Sequence, residues 1–290
     1  MDSLFQFAAI FSALTWAMSG AILKQIKFNR FFSFPFLEAT ISLIIVSIII
    51  TLMQYWGTIF DASSKAFLYM IVATALSCIG IVFYVISIKY NPIGIVFTLC
   101  AASTILMTLV IDFLINNVQY NLFLIIGAVV LITSIFIINF ESFKNYKEKN
   151  TLGIFGGVIA GSIWGIAVIL NDRALLEANI LTASITRAVV SIICLFIASE
   201  LFKQRIEILT EKKEILKMVI AGSLITLSSL IWLTSLNVTT GSLTSIFGNT
   251  APIFAIIIGF LFLNEKIYRS QILGIFLAFI GVLMVILFKN

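Results

Sequence analysis

The sequence predicts an all-α integral membrane protein: ten transmembrane helices arranged as two inverted five-helix repeats. Three observations carry this prediction. Of 290 residues, 61% are hydrophobic and 11% charged, with a mean hydropathy of +1.16, whereas charged residues make up about a quarter of a soluble domain. Ten apolar runs follow one another, each about 20 residues long, and at about 1.5 Å per residue each matches a hydrocarbon core of about 30 Å. The two halves of the chain can also be laid over one another.

The run over 3–23 lacks the basic start of a signal peptide and is long enough to span, so it reads as a helix. Runs over 33–53, 66–88, 93–115 and 121–140 complete a first half, residues 1–140. The polar stretch 141–151, ESFKNYKEKNT, divides the chain; runs over 152–171, 181–200, 216–236, 241–263 and 271–288 fill the second half, residues 152–290. None alternates as a strand would, and without water to satisfy the backbone a membrane span must be helical. The connections after the third, fourth, eighth and ninth runs are very short, which predicts antiparallel neighbours. The longer polar connections are 54–65, 141–151 and 201–215.

An offset of 148 residues places Trp16 on Trp164, Tyr84 on Trp232, Ser87 on Ser235 and Asn116 on Asn264. A slip of one residue pairs Gly127 with Gly274 and Ser134 with Gly281, and the opposite slip pairs Glu38 with Arg187. Five helices per half is an odd number, so the halves cross the membrane in opposite senses. Such inverted repeats usually work by alternating access around a site at the repeat interface.

The stretch from Ile231 to Gly281 is the most informative. It holds three apolar runs with tight polar turns, Ala251-Pro252 near the middle of one, Phe262-Leu263-Asn264-Glu265 at its end, and Gly274 and Gly281 seven apart. This pattern resembles the second half of EamA-type proteins of the drug/metabolite transporter superfamily. With the segment number and the repeat, the resemblance covers essentially the whole chain. It departs in the first half, where Ser103-Thr104 stand at the positions of Ala251-Pro252 and Asn117 at that of Glu265. The resemblance implies a secondary transporter whose central cavity is lined partly by the first, third, sixth and eighth helices.

The formal charge of +5 is spread in short clusters between apolar runs. Clusters so placed set membrane orientation, and no nucleic-acid partner is expected. Fourteen Lys and Arg fall in one set of alternate connections, against Lys65, Arg173 and Lys289 in the other. That bias places both termini outside, whereas the resemblance implies both inside; the orientation stays open. Cys78, Cys100 and Cys194 lie singly inside apolar runs and read as packing. With no His in the chain, the commonest metal ligand is missing; neither metal nor cofactor is expected.

Candidate site residues are those that are costly in lipid unless used. Glu38 lies about 9 Å below one interface, and an intramembrane carboxylate is by default a functional hypothesis. Arg187 enters from the opposite face, so the two charges are expected about 10 Å apart along the membrane normal, without a direct salt bridge. Arg187 is expected to bind a carboxylate or close one end of the pathway, the bland alternative being a pairing with Asp172, Glu177 or a helix C-terminus. Asp112, in the last turn of its run, reads as an interfacial carboxylate first and a candidate for proton coupling second. Trp16, Tyr84, Trp164 and Trp232 form two repeat-related pairs whose faces suit aromatic or cationic substrates. Asn249 is an amide inside a membrane run, beside Pro252, where backbone groups are freed. Gly157 and Gly161 have the spacing that lets helix backbones approach closely.

Catalytic signatures are missing from the sequence: no HExxH, no GxSxG and no Gly-rich phosphate loop. The expected function is therefore not enzymatic. It is secondary transport of small organic metabolites, amino acids or amine-bearing compounds, across the cell membrane by a multi-pass protein, with protons as a candidate coupling ion. The rival readings are a non-transporting scaffold or sensor and an intramembrane enzyme. Substrate identity, direction and oligomeric state are not legible.

Overall fold

The computed structural model describes residues 7–26, 30–90, 93–115, 117, 119–138, 140, 151–207, 211–263 and 269–287. Residues 141–150 of the polar connection, Asn116, Asn264, Glu265 and the basic residues Lys27, Lys144, Lys147, Lys149, Lys266 and Lys289 lie outside them. The helices are α1 (Ala8–Leu23), α2 (Ser33–Leu52), α3 (Ser64–Tyr90), α4 (Ile93–Ile115), α5 (Leu122–Ile138) and α6 (Thr151–Leu175). They continue with α7 (Ile180–Leu201), α8 (Lys212–Leu236), α9 (Gly241–Gly248), α10 (Ala251–Leu263) and α11 (Arg269–Leu287). No strand occurs among the described residues.

Seven helical stretches among the described residues are long and apolar enough to cross a membrane, the last spanning Gly241–Ile258. Three shorter apolar helices, Ala8–Leu23, Leu122–Ile137 and Ile272–Val285, accompany them. The outer surface carries exposed Phe11, Ile44, Leu106, Phe155, Ile193 and Phe276, while Ser42, Thr98, Thr108 and Thr182 are buried. An apolar exterior over a hydroxyl-bearing interior reverses the pattern of a water-soluble protein and suits contact with lipid. This is a multi-pass helical membrane protein.

Local chemistry sets the helix ends. Pro35 sits in the first turn of α2, where a missing N–H removes no helical bond. The Asn179 side chain accepts the Thr182 N–H at 2.7 Å and so caps α7. The ninth apolar run, expected as one helix over 241–263, is broken into α9 and α10 at Asn249-Thr250. Pro252 explains the break, because it has no N–H and its ring would crowd the Gly248 carbonyl four residues back. The 54–65 connection is also not wholly irregular, since Trp56–Asp61 winds into a 3₁₀ turn whose Ile59 is buried.

The short connections do bring neighbours together, but the closest packing joins helices far apart in sequence: α3 with α6, α5 with α11, α4 with α6 and α1 with α8. On α6, a β-carbon at Gly161 would run into the Cys100 carbonyl of α4, and one at Gly157 would come within 3.2 Å of Leu99. Hydroxyls and a thiol stitch these seams to backbone carbonyls. Thr104 Oγ1 donates to Gly161 O at 3.0 Å, Cys100 Sγ to Gly157 O at 3.3 Å and Ser19 Oγ to Ala221 O at 3.1 Å. Small residues admit the neighbouring backbone, and polar groups that would be unsatisfied in lipid are paired across the seam.

Candidate functional site

A cavity of about 250 Å³ lies in the middle of the bundle, walled by α1 to α4 and by α6 to α10. Every substrate-binding residue expected from the sequence lines it: Trp16, Glu38, Tyr84, Trp164, Arg187, Trp232 and Asn249. Asp112 does not.

The charged wall corrects one expectation. Arg187 Nη2 donates to Glu38 Oε1 at 3.1 Å, so the two residues form the direct salt bridge that their separation along the membrane normal argued against. That separation counted backbone rise alone. The helices α2 and α7 pack on one another, and the long Arg stem carries its charge well away from its own Cα. Asp172 and Glu177, the alternative partners for Arg187, are engaged elsewhere, by the Gly241 N–H and the Ser63 hydroxyl.

The aromatic wall is a cluster rather than two separate pairs. Trp16 and Trp164 meet edge to face at 5.9 Å and 89°, Trp16 and Tyr84 at 5.5 Å, and Tyr84 and Trp164 at 5.4 Å. The Trp164 Nε1–H points to Ser77 O at 3.4 Å. Phe97 joins the cluster against Tyr84 at 6.0 Å and 85°; sequence reading missed it, since nothing distinguished this Phe among the 27 in the chain. Trp232 stands apart and packs beside Gly248. Asn249 spends one amide N–H on Ser245 O of its own helix at 2.8 Å and still borders the cavity.

One ion pair and a cluster of tilted and edge-to-face aromatic rings thus border the same cavity inside a helical membrane bundle. The second half, residues 151–287, matches the model of the EamA-like transporter family. The chain is similar to that family over its second half.

A relative from Archaeoglobus fulgidus, described as an uncharacterized transporter, is 26% identical over 282 residues, covering 95% of each chain. A protein of known crystal structure superposes with a TM-score of 0.78 at 13% identity, over 100% of this chain and 99% of that one, which shows a shared fold.

Asp112, at the end of α4, is buried among the helices. Its carboxylate accepts both the backbone N–H of Ser242, at 3.1 Å, and the Ser242 hydroxyl, and Tyr120 shares that hydroxyl at 2.6 Å. Asp172, from α6, accepts the adjacent Gly241 N–H at 3.3 Å. Two carboxylates from different halves thus hold the N-terminus of α9, where partial positive charge gathers. The role of Asp172 was not legible, because Asp112, Asp172 and Gly241 come from three separate segments. Cys78, Cys100 and Cys194 are free thiols.

Proposed function

We propose that this chain is an EamA-like transporter and moves small organic metabolites, amino acids or amine-bearing compounds, across the cell membrane. It would do so by alternating access of two inverted five-helix halves, residues 1–140 and 152–290, joined by 141–151. In this reading the three shorter apolar helices would join the seven long stretches to make ten spans, with α9 and α10 together forming one. The packing supports inversion. The α3–α6 seam has its counterpart in α1–α8, while α2 with α7 and α5 with α11 are pairs that a two-fold axis would map onto themselves. The charge bias argues for both termini outside the cell and the resemblance for both inside.

The single observation that carries the substrate class is the pairing of a charged wall with an aromatic wall across one cavity. The rings of Trp16, Tyr84, Trp164 and Trp232 offer faces to an ammonium or an aromatic body. Arg187 offers N–H donors to a carboxylate, Glu38 holds the Arg187 guanidinium, and Asn249 supplies a polar group where α9 ends. A phosphorylated sugar would call for more cationic side chains than Arg187 alone. Asp112, committed to the N-terminus of α9, holds that helix in place and is the weaker candidate for coupling.

The test is flux of labelled L-phenylalanine, choline and putrescine in proteoliposomes. Saturable movement of at least one, reduced by Trp16→Ala and by Arg187→Ala, is the expected result. A protein that moves none is a scaffold or sensor instead. Chemical conversion of a probe inside the vesicles would mark an intramembrane enzyme.

A further inference from the structure

We propose that Glu38 is a proton-exchange site driven by the substrate: a substrate carboxylate takes Arg187 from Glu38, Glu38 then binds a proton, and each carboxylate-bearing substrate crosses with one proton. The proposal rests on the amino acid and amine reading of the cavity and goes beyond it by naming the coupling ion and the atom that carries it.

The geometry of the ion pair carries the inference. A guanidinium has five N–H donors in a fixed fork. Among the described residues the guanidinium of Arg187 has one hydrogen-bond partner, Glu38, through a single bond of 3.1 Å. Its side chain keeps 30% exposure toward the cavity, against 12% for Glu38. An incoming carboxylate therefore meets open donors and can bind in the parallel two-bond form, which is stronger than the single bond it replaces. Glu38 is then left as a buried carboxylate facing an already neutralised cation. A buried charge without a partner is strongly disfavoured, and protonation removes it.

Among the described residues nothing else on the helices around Glu38 replaces Arg187. The helices packed on α2 are α7, α8 and α3. From α7 come Arg187, Cys194 and, at its far end, Glu200. From α3 comes Cys78, which borders the cavity with the pair, while Lys65 and Lys89 stand at the two ends of that helix. The charges of α8, Lys212, Lys213, Glu214 and Lys217, sit in its first turns, where Lys217 is held by Glu214 at 3.0 Å and by Gln25 O at 3.3 Å. Where α8 crosses α2, the contact is Gly222 against Ile41.

The charge balance closes. Before binding, ionised Glu38 and Arg187 sum to zero; afterwards neutral Glu38 and the Arg187–carboxylate pair also sum to zero. The proton enters from water on the side to which the cavity opens and leaves on the other side with the substrate. No charge beyond that of the substrate ammonium remains in the low-dielectric interior.

The experiment measures proton uptake by the purified protein in weakly buffered detergent on addition of L-phenylalanine, and of phenethylamine, which lacks the carboxylate. The parent protein is expected to take up about one proton per L-phenylalanine bound and none with phenethylamine, and its affinity for L-phenylalanine should weaken toward about tenfold per pH unit as pH rises through the range where Glu38 ionises. Glu38→Gln should bind L-phenylalanine without proton uptake and with no pH dependence. Should that variant fold poorly, Arg187→Gln is the second: it should lose both the preference for L-phenylalanine over phenethylamine and the proton uptake. Binding of L-phenylalanine by the parent without uptake, or uptake that persists in Glu38→Gln, overturns the proposal alone. A parent protein that binds neither probe overturns the substrate reading, and this proposal with it.

Discussion

A β-carbon on Gly80 would stand 2.5 Å from the indole Nε1 of Trp164 and 2.7 Å from its Cδ1, so the bare glycine of α3 is what leaves room for that ring. In that niche Trp164 reaches Ser77 O and sits edge to face on Trp16. Gly80→Ala should push the indole toward the cavity at a cost of about 1–3 kcal/mol, the range for overpacking a filled site. The checks are a lower melting temperature and a weaker thermal shift with aromatic ligands. An unchanged thermal shift would show that Trp164 does not touch the ligand.

The ring cluster predicts a graded loss. Trp16 contacts both Tyr84 and Trp164, so Trp16→Ala removes a cavity face and loosens its neighbours. Affinity for aromatic or quaternary-amine ligands should fall by about 1–2 kcal/mol, the scale of aromatic and cation-π contacts. Trp16→Phe should recover part of it. Titration of ligand binding by tryptophan fluorescence measures both, with Trp164 and Trp232 as the remaining reporters at the cavity and Trp56 outside it.

Glu38 and Arg187 predict a characteristic non-additivity. Removing either alone strands the other charge, which for a fully buried pair costs about 3–5 kcal/mol. Because Arg187 keeps 30% exposure, the cost here should be nearer about 1–3 kcal/mol. The double replacement Glu38→Gln with Arg187→Met should melt above at least one of the single variants. If the two effects simply add, the pair is not coupled in the folded protein.

Asp112 predicts a defect of stability rather than of ion coupling. Asp112→Asn keeps the shape but weakens a charged acceptor for the Ser242 N–H and hydroxyl, at a cost of about 1.5–3 kcal/mol. Ser242→Ala should cost less, since the backbone N–H can still bond to Asp112. Melting curves give the order. Flux per folded molecule should persist in Asp112→Asn, and a selective loss of proton-driven flux would return Asp112 to the coupling role.

Much of this was legible in the sequence, for physical reasons that act locally. A helix satisfies its own backbone, so run length and hydropathy are enough to place spans such as Ser33–Leu52 and Ile180–Leu201 to within a residue or two. The close approach at Gly157 and Gly161 followed from spacing, because small residues on one helix face admit a neighbour whatever that neighbour is. The cost of Glu38 and Arg187 in lipid, and the repeat relation of Trp16, Trp164 and Trp232, also marked them before any partner was known, and all five border the cavity.

Tertiary structure alone decided which of these groups meet. Spacing along a helix gives height in the membrane. It does not give how α2 and α7 lean together or how far a guanidinium reaches, and those two quantities turned an expected gap into the 3.1 Å bond between Arg187 and Glu38. In the same way, Asp112 was an end-of-helix carboxylate until α9 placed Ser242 against it, and Phe97 was one apolar ring among many until Tyr84 packed on it. Hydropathy and helix period depend on neighbours in sequence, so the sequence determined the helical membrane architecture; partners in the site come from helices far apart in sequence, so only their packing could assign them.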